Sequence, residues 1–145
     1  MNTIIHSVRG SDFHNVLALL AQSGLPQDGL ADHMMTTLAA YEGECVVGSA
    51  ALELYGEAAL LRSVAVAASQ RGQGLGQRLT EAALDLARQC GVSAVYLLTE
   101  TAADFFPRFG FQPITRDAVP SSVQQSIEFT EACPLSATVL ALRLK

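Results

Sequence analysis

The chain has 145 residues, half of them hydrophobic and only 16% charged, so it is long enough for one domain with a buried core and does not read as disordered. Nine basic against fourteen acidic residues leave a formal charge of -5, which excludes the general attraction to phosphate backbones that a nucleic-acid partner requires. An anionic ligand would need a local site of backbone N–H groups and an arginine or two; eight of the basic residues are Arg and Lys145 is the one Lys.

In chain order, Thr3 to Val8 is β-branched and weakly alternating, which predicts a short first strand. Ser11 or Asp12 can cap a following helix that carries Val16, Leu17, Leu19 and Leu20 on its apolar side and stops near Ser23-Gly24, before Pro26. A shorter helix is expected over Leu30 to Met35. Leu38 to Tyr41, the turn Glu42-Gly43-Glu44 and Cys45 to Leu54 form a hairpin, and Ala59 to Val66 follows Gly56-Glu57 as a more apolar strand. After Gly72, Gly74 and Gly76 the apolar period lengthens to that of a helix, through Leu79, Ala82, Ala83, Leu86 and Ala87, ending at Cys90-Gly91. Val92 to Leu98 reads as a strand, Thr101 to Phe109 as a short helix and Phe111 to Ile114 as a strand. Pro120 to Thr130 reads as one more helix and Thr138 to Leu144 as a last strand. Hairpins beside a β-α-β unit in so short a chain mean an α/β (α+β) domain with a mixed sheet and helices on both sides.

The three cysteines, Cys45, Cys90 and Cys133, are odd in number, dispersed, and in no CxxC or Cys/His spacing. They point away from a disulfide framework and from a zinc site, so no metal is expected, and they read as buried structural residues. His6, His14 and His33 are scattered, with His14 a surface residue; Met34-Met35 is a packing pair. No apolar run approaches the roughly 18 residues of a membrane span. The opening MNTIIHSVRG lacks the charged-then-apolar order of a signal peptide. The expected setting is soluble and cytoplasmic, with neither a membrane nor a nucleic acid as partner.

Chemistry concentrates in VAVAASQRGQGLGQRLTEAALDLA, which begins at Val64. A strand runs into a loop with glycine at every second position, and the loop opens a helix. Glycines allow close approach and positive φ, and the free N–H groups of a helix start converge on an anion with the helix dipole behind them. Arg71 adds a charge. The result is a cradle for phosphate or pyrophosphate; the plainer alternative is a glycine-rich turn for tight helix–strand packing. A P-loop is excluded because GxxxxGK[ST] is absent, and the spacing does not match GxGxxG.

Arg71-Gly72-Gln73-Gly74-Leu75-Gly76 resembles the [QR]-x-x-G-x-[GA] signature of the GNAT acetyltransferases, and Ala102 to Phe111 resembles that family's later A-x-x-[FL]-[YF]-x-x-x-G-F element, in the same order. The resemblance covers nearly all of residues 1–145 and implies one GNAT domain, with a mixed, mostly antiparallel sheet of about six or seven strands and helices on both faces. It implies acetyl-CoA as co-substrate. Val64, Ala65 and Val66 would meet the pantetheine arm, Arg71, Gly72, Gln73, Gly74, Leu75 and Gly76 the pyrophosphate, and Phe106 the region of the CoA sulfur. Many relatives carry Tyr where Phe106 stands and use its hydroxyl to protonate the departing thiolate; Phe106 has no proton to give, so no general acid is inherited at this position.

At finer grain, Leu97 to Phe106 and Leu61 to Val66 resemble the GNAT domain of N-acetylglutamate synthases. LLRSVAV, RGQGLG, LLT-x-TAADFF and Cys133-Pro134-Leu135-Ser136-Ala137 resemble small GNAT proteins associated with arsenic resistance. Both imply a small amine bearing an anion, such as an amino acid or an organoarsenical analogue of one. Arg62 can hold that anion bidentately, or can instead pair structurally with Glu53 or Glu57. Thr99 and Ser136 are further substrate candidates, each with backbone capping as the plainer role. The expected mechanism is direct attack of the neutral amine on the thioester, with Glu53, Glu57 and Glu100 as candidate bases or else as solvated surface carboxylates. The same residues leave open an N-acetylglutamate synthase-like enzyme or a non-catalytic acetyl-CoA sensor. A homodimer is expected by analogy alone.

Overall fold

The computed structural model describes residues 3–132 and 136–144. Seven strands form a sheet in the order β1-β2-β3-β4-β5-β7-β6. They are β1 Ile4–Ser7, β2 Thr37–Glu42, β3 Cys45–Tyr55, β4 Ala58–Val66, β5 Ala94–Thr99, β6 Gln112–Ile114 and β7 Thr138–Arg143. Neighbours are antiparallel except β4 and β5, which run parallel because helix α2, Leu75–Gln89, returns the chain between them. Helix α1, Phe13–Gln22, joins β1 to β2 on the other face, and a single turn, α3, Ser121–Gln124, precedes β7.

Strand alternation decides which face each helix covers. Leu38 and Ala40 of β2 and Ala50 and Leu52 of β3 share a core with Leu75, Leu79, Ala83, Leu84 and Ala87 of α2. The residues between them, Ala39, Tyr41 and Ala51, pack with Phe13, Val16, Leu19 and Leu20 of α1. Farther along the α1 face, Leu60 of β4 meets Val119, Val123, Phe129 and Val139. A buried leucine such as Leu79, fully enclosed, contributes about 2–5 kcal/mol against alanine.

The expected strands appear within a few residues of their predicted bounds, and α1 and α2 where their periodicity places them. Five expectations change. Asp12 stands at the N-cap of α1 without a side-chain cap bond, because its carboxylate accepts from the Tyr41 hydroxyl at 3.0 Å and lies 3.6 Å from Arg9. Thr101 to Phe109 is a turn followed by a 3-10 helix over Phe106–Phe109, since Pro107, lacking an N–H, fits only the first turn of a helix. Pro120 to Thr130 breaks after Gln124: the buried Ser126 hydroxyl accepts from the Glu128 N–H, and a π-helical turn follows over Glu128–Ala132. Cys45 and Cys90 are exposed rather than buried, one opening β3 after a turn and the other capping α2; Cys133 lies outside the described residues. Met34 packs against the α1 core as expected, whereas Met35 is 92% exposed. Among the described residues no helix is long and apolar enough to cross a membrane.

Candidate functional site

The sheet opens at its centre. β4 and β5 pair only through Ala58–Ala94, Ala59–Val95 and Leu60–Tyr96, although β4 runs on to Val66 and β5 to Thr99. A bulge explains the parting. Against β3, Ala65 pairs with Ser49 and Arg62 with Ala51, so Ser63 and Val64 together oppose Ala50. Ser63 has φ +61°, a left-handed conformation that costs a non-glycine residue about 1–3 kcal/mol. The Ser49 hydroxyl donates to the Ser63 carbonyl at 2.7 Å inside the core and holds the kink. Past Leu60, the β5-facing main chain of β4 has no strand partner and borders a cavity of about 580 Å³.

One wall of this cavity is β4 from Leu61 to Val66, and the other is Leu97 to Ala102 with Phe105 and Phe106. Ser23 to Pro26, the turn after α1, closes a third side. The wall aromatics fix one another: Phe106 stands edge-on to Phe105 and Phe111, with ring centroids at 5.0 and 5.8 Å.

Arg71 and Gly76 also line the cavity. Between them Gly72 and Gly74 have φ +79° and +80°, which glycine adopts without strain. Gly74 is the N-cap of α2 and has no side chain with which to cap it. The first helical hydrogen bond runs from the Arg78 N–H to the Gly74 carbonyl at 3.1 Å, so the helix itself supplies no acceptor for the N–H groups of Leu75, Gly76 and Gln77. The Arg71 Nε–H donates to the Val66 carbonyl at 3.2 Å, fixing the guanidinium over the end of β4. A helix start with N–H groups to spare, an arginine and open space around both left-handed glycines is chemically suited to a pyrophosphate.

The opposite end of the cavity is polar and buried. Arg62 Nη1 donates to Glu53 Oε2 at 2.8 Å and Nη2 to the Pro26 carbonyl at 3.3 Å. Its Nε–H lies 3.2 Å from Ser63 Oγ and 3.3 Å from Glu128 Oε2. The Tyr55 hydroxyl donates to Glu53 Oε1, and His33 Nε2 lies 3.8 Å from the same oxygen. Burial by itself would raise the pKa of Glu53, yet hydrogen bonds from Ser126, Tyr55 and Arg62 outweigh it and hold the carboxyl below its ordinary value. Burial, followed by the hydrogen bond to Glu53, pushes Tyr55 up to about 12.

The structure therefore brings Arg62, Val64, Ala65, Val66, Arg71, Gly76, Thr99 and Phe106 around one cavity, with Gly72, Gln73 and Gly74 exposed in the loop between two of them and Leu75 turned into the core. Thr99 Oγ1 accepts from the Ala102 N–H at 2.9 Å, the capping role. Ser136 is exposed in the turn before β7, outside the lining. Of the carboxylates considered as bases, Glu100 lines the cavity, Glu57 is exposed in the β3–β4 turn, and Glu53 is committed to Arg62. Glu128 and Ser23 also line the cavity, whereas the sequence places them only within a helix and at a helix stop. No local pattern marks either, because each acquires its role from strands far away in sequence.

The sequence profile of the acetyltransferase (GNAT) family matches residues 10–111, more than half of the chain. The chain belongs to this family. Within it, this GNAT chain is 33% identical over 87 residues to an uncharacterised N-acetyltransferase of Chlorobaculum tepidum, covering 59% of this chain and 55% of that protein. The N-acetylglutamate synthase of Neisseria gonorrhoeae, solved with coenzyme A and N-acetyl-glutamate, superposes with TM-score 0.84 at 21% identity, over 100% of this chain and 36% of that one. Rv2747 of Mycobacterium tuberculosis, solved in complex with CoA, superposes with TM-score 0.81 at 22% identity over 98% and 99% of the two chains. The GNAT chain thus has the GNAT fold, and it spans about half the length of the curated relative it matches.

Proposed function

We propose that this chain is an acetyl-CoA-dependent N-acetyltransferase that acetylates the amine of a small, amino-acid-like acceptor by direct attack. The observation that carries the reading is the parting of β4 from β5, which sets an anion-suited helix start at one end of a single cleft and a buried set of charged side chains at the other. In it, residues 1–145 act as one catalytic domain. The main chain of Val64 to Val66 lies along the pantetheine arm and the loop from Arg71 to Gly76 takes the pyrophosphate. The acetyl group comes to rest between the bulge and Phe106, where a β4 N–H near Val64 meets the developing oxyanion. Phe106 excludes water and donates no proton; a thiol with an ordinary pKa of roughly 8.5 is a good enough leaving group to depart as thiolate.

An amino-acid acceptor is favoured by the Neisseria gonorrhoeae synthase, which was solved with N-acetyl-glutamate, and by the charged acceptor end. An organoarsenical amino-acid analogue fits the same description. A cytoplasmic setting fits this reading, since acetyl-CoA is available there. The deciding experiment is release of free thiol from acetyl-CoA against glutamate, other amino acids, phosphinothricin-like analogues and arsenical amino acids. Release that needs one of these amines is the expected result. Tight acetyl-CoA binding with silence across the panel would replace the enzyme with a sensor module.

A further inference from the structure

At the acceptor end of the cleft the guanidinium of Arg62 is already engaged. Its side chain is fully buried, and each of its three nitrogens has a partner within the protein: Nη1 donates to Glu53 Oε2 at 2.8 Å, Nη2 to the Pro26 carbonyl at 3.3 Å and Nε to Ser63 Oγ at 3.2 Å. Ser63 differs. It belongs to the cavity lining, it is 8% exposed, and its hydroxyl accepts from Arg62 while donating to nothing among the described residues. A serine hydroxyl is one donor and two acceptor sites, so an oxygen that takes the Nε–H keeps its own proton for another partner. The adjacent guanidinium polarises that hydroxyl and makes it a stronger donor. The backbone singles out the same side chain. Ser63 has φ +61°, a conformation that glycine adopts freely and serine only at a cost, and such residues gather where a ligand is held. The lining holds a second hydroxyl with nothing to donate to: Ser23 Oγ is buried and has no hydrogen-bond partner among the described residues. Polar atoms so enclosed are ordinarily satisfied, and here two hydroxyl protons at one end of the cleft lack an oxygen.

Resting on the acetyltransferase reading, we infer that Ser63 is a specificity-determining residue: its hydroxyl donates to a carboxylate oxygen of the acceptor, and Arg62 itself touches no substrate group. The ligand class follows from the donor. A buried hydroxyl proton calls for an oxygen rather than an aliphatic end. A carboxylate is the oxygen that gains most, since hydrogen bonds to an ionised acceptor are roughly twice as strong as neutral ones. The placement follows from the bulge. Ser63 and Val64 together oppose Ala50, so the side chain that holds the carboxylate is next in sequence to the main chain that borders the thioester. An amine tethered through Ser63 is thereby held beside the acetyl group. An amine without the carboxylate enters the same cleft and leaves the Ser63 donor unpaired, which is how a polar pocket rejects an analogue.

Ser63→Ala removes the hydroxyl and keeps a Cβ at the strained position; Ser63→Gly removes the hydroxyl and the strain together. Both are compared with the parent, CoA-saturated for calorimetric binding and with acetyl-CoA for turnover. The probes are two pairs that differ by one carboxylate: L-alanine with ethylamine, and L-glutamate with 4-aminobutyrate. By dissociation constant and by kcat/KM, the parent should prefer the carboxylated member of at least one pair by about tenfold or more. In both variants that preference should shrink roughly tenfold. A ratio within a pair cancels damage common to both amines, so its loss reports the carboxylate contact rather than a loosened bulge. A preference that Ser63→Ala loses and Ser63→Gly restores would trace to backbone strain and overturn the inference. Equal preference in the parent and both variants would overturn it too, as would a parent that does not distinguish the members of either pair or binds none of the four. An amino acid bound but never acetylated by the parent would reject the transferase reading, and a binding preference that shrinks in both variants would still place the carboxylate on Ser63.

Discussion

Gly74 sits at φ +80° on the first turn of α2 with open space around it, so a side chain there is opposed by backbone strain and by whatever occupies the loop. Asn and Asp have the same shape and share a tolerance of left-handed backbone, which separates strain from charge. Gly74→Asn should cost modest stability and little acetyl-CoA affinity. Gly74→Asp should lose at least tenfold more, about 1.4 kcal/mol, when measured calorimetrically. Equal losses in the two variants would remove the pyrophosphate from this loop. The buried carboxyl of Glu53 makes a second residue-level expectation. Its folded pKa is lowered, so its contribution to stability is complete above its unfolded value of about 4.3 and is lost as pH falls through the folded one. Tyr55 is the reverse case: its contribution is complete below about 10 and is lost as pH rises through about 12. Urea unfolding across pH should show an acid limb that Glu53→Gln flattens and an alkaline limb that Tyr55→Phe flattens. Limbs unchanged in both variants would mean that the Glu53–Tyr55 pair does not control them.

At the level of elements, the bulge in β4 is held by one side chain from β3. Ser49→Ala leaves the buried Ser63 carbonyl without its donor, at a cost of about 1–3 kcal/mol. Because the same kink parts β4 from β5, the acetyl-CoA KM should rise several-fold while the far end of the sheet, β1 to β2, stays native by amide NMR. A stability loss with unchanged KM would separate the kink from the cleft. The elements also show where sequence reading reaches its limit. The strand–loop–helix unit from Val64 to Gln89 was legible because its signals are local: glycines at the turn, then an apolar stripe of helical period. The hairpin β2–β3 was legible for the same reason. Residues 120–130 were not, since the break after Gln124 is made by Ser126 reaching Glu53 and Tyr55, tertiary partners that no window along the chain contains. Arg62 was legible as a residue of consequence, and its pairing with Glu53 was one of two roles open to it; the third member, Glu128, lies 66 residues on and could be found only by folding the chain.

Across the whole molecule, cores cover both faces of the sheet, while the cleft between β4 and β5 is open backbone. Addition of acetyl-CoA should slow amide hydrogen exchange in Val64 to Val66 and in Gly72 to Gln77, and leave β1 and β2 nearly unchanged on the same timescale. Uniform slowing everywhere would report global stabilisation without this site. The net charge of -5 sharpens the assignment, because an acidic molecule attracts an anionic co-substrate only where Arg71 and the α2 start reverse the local field.

The parting of β4 and β5 also creates two strand edges in the interior of a sheet that otherwise ends at β1 and β6. An unpaired edge is ordinarily a hazard, open to any passing strand of another chain. Here the turn from Ser23 to Pro26 and the wall of Phe105 and Phe106 border the gap, leaving a slot of about 580 Å³. That is room for the arm of a small molecule and far too little for a neighbouring polypeptide to add itself to the sheet. The feature that admits the substrate is thus also what keeps a sheet with a broken middle from recruiting copies of itself.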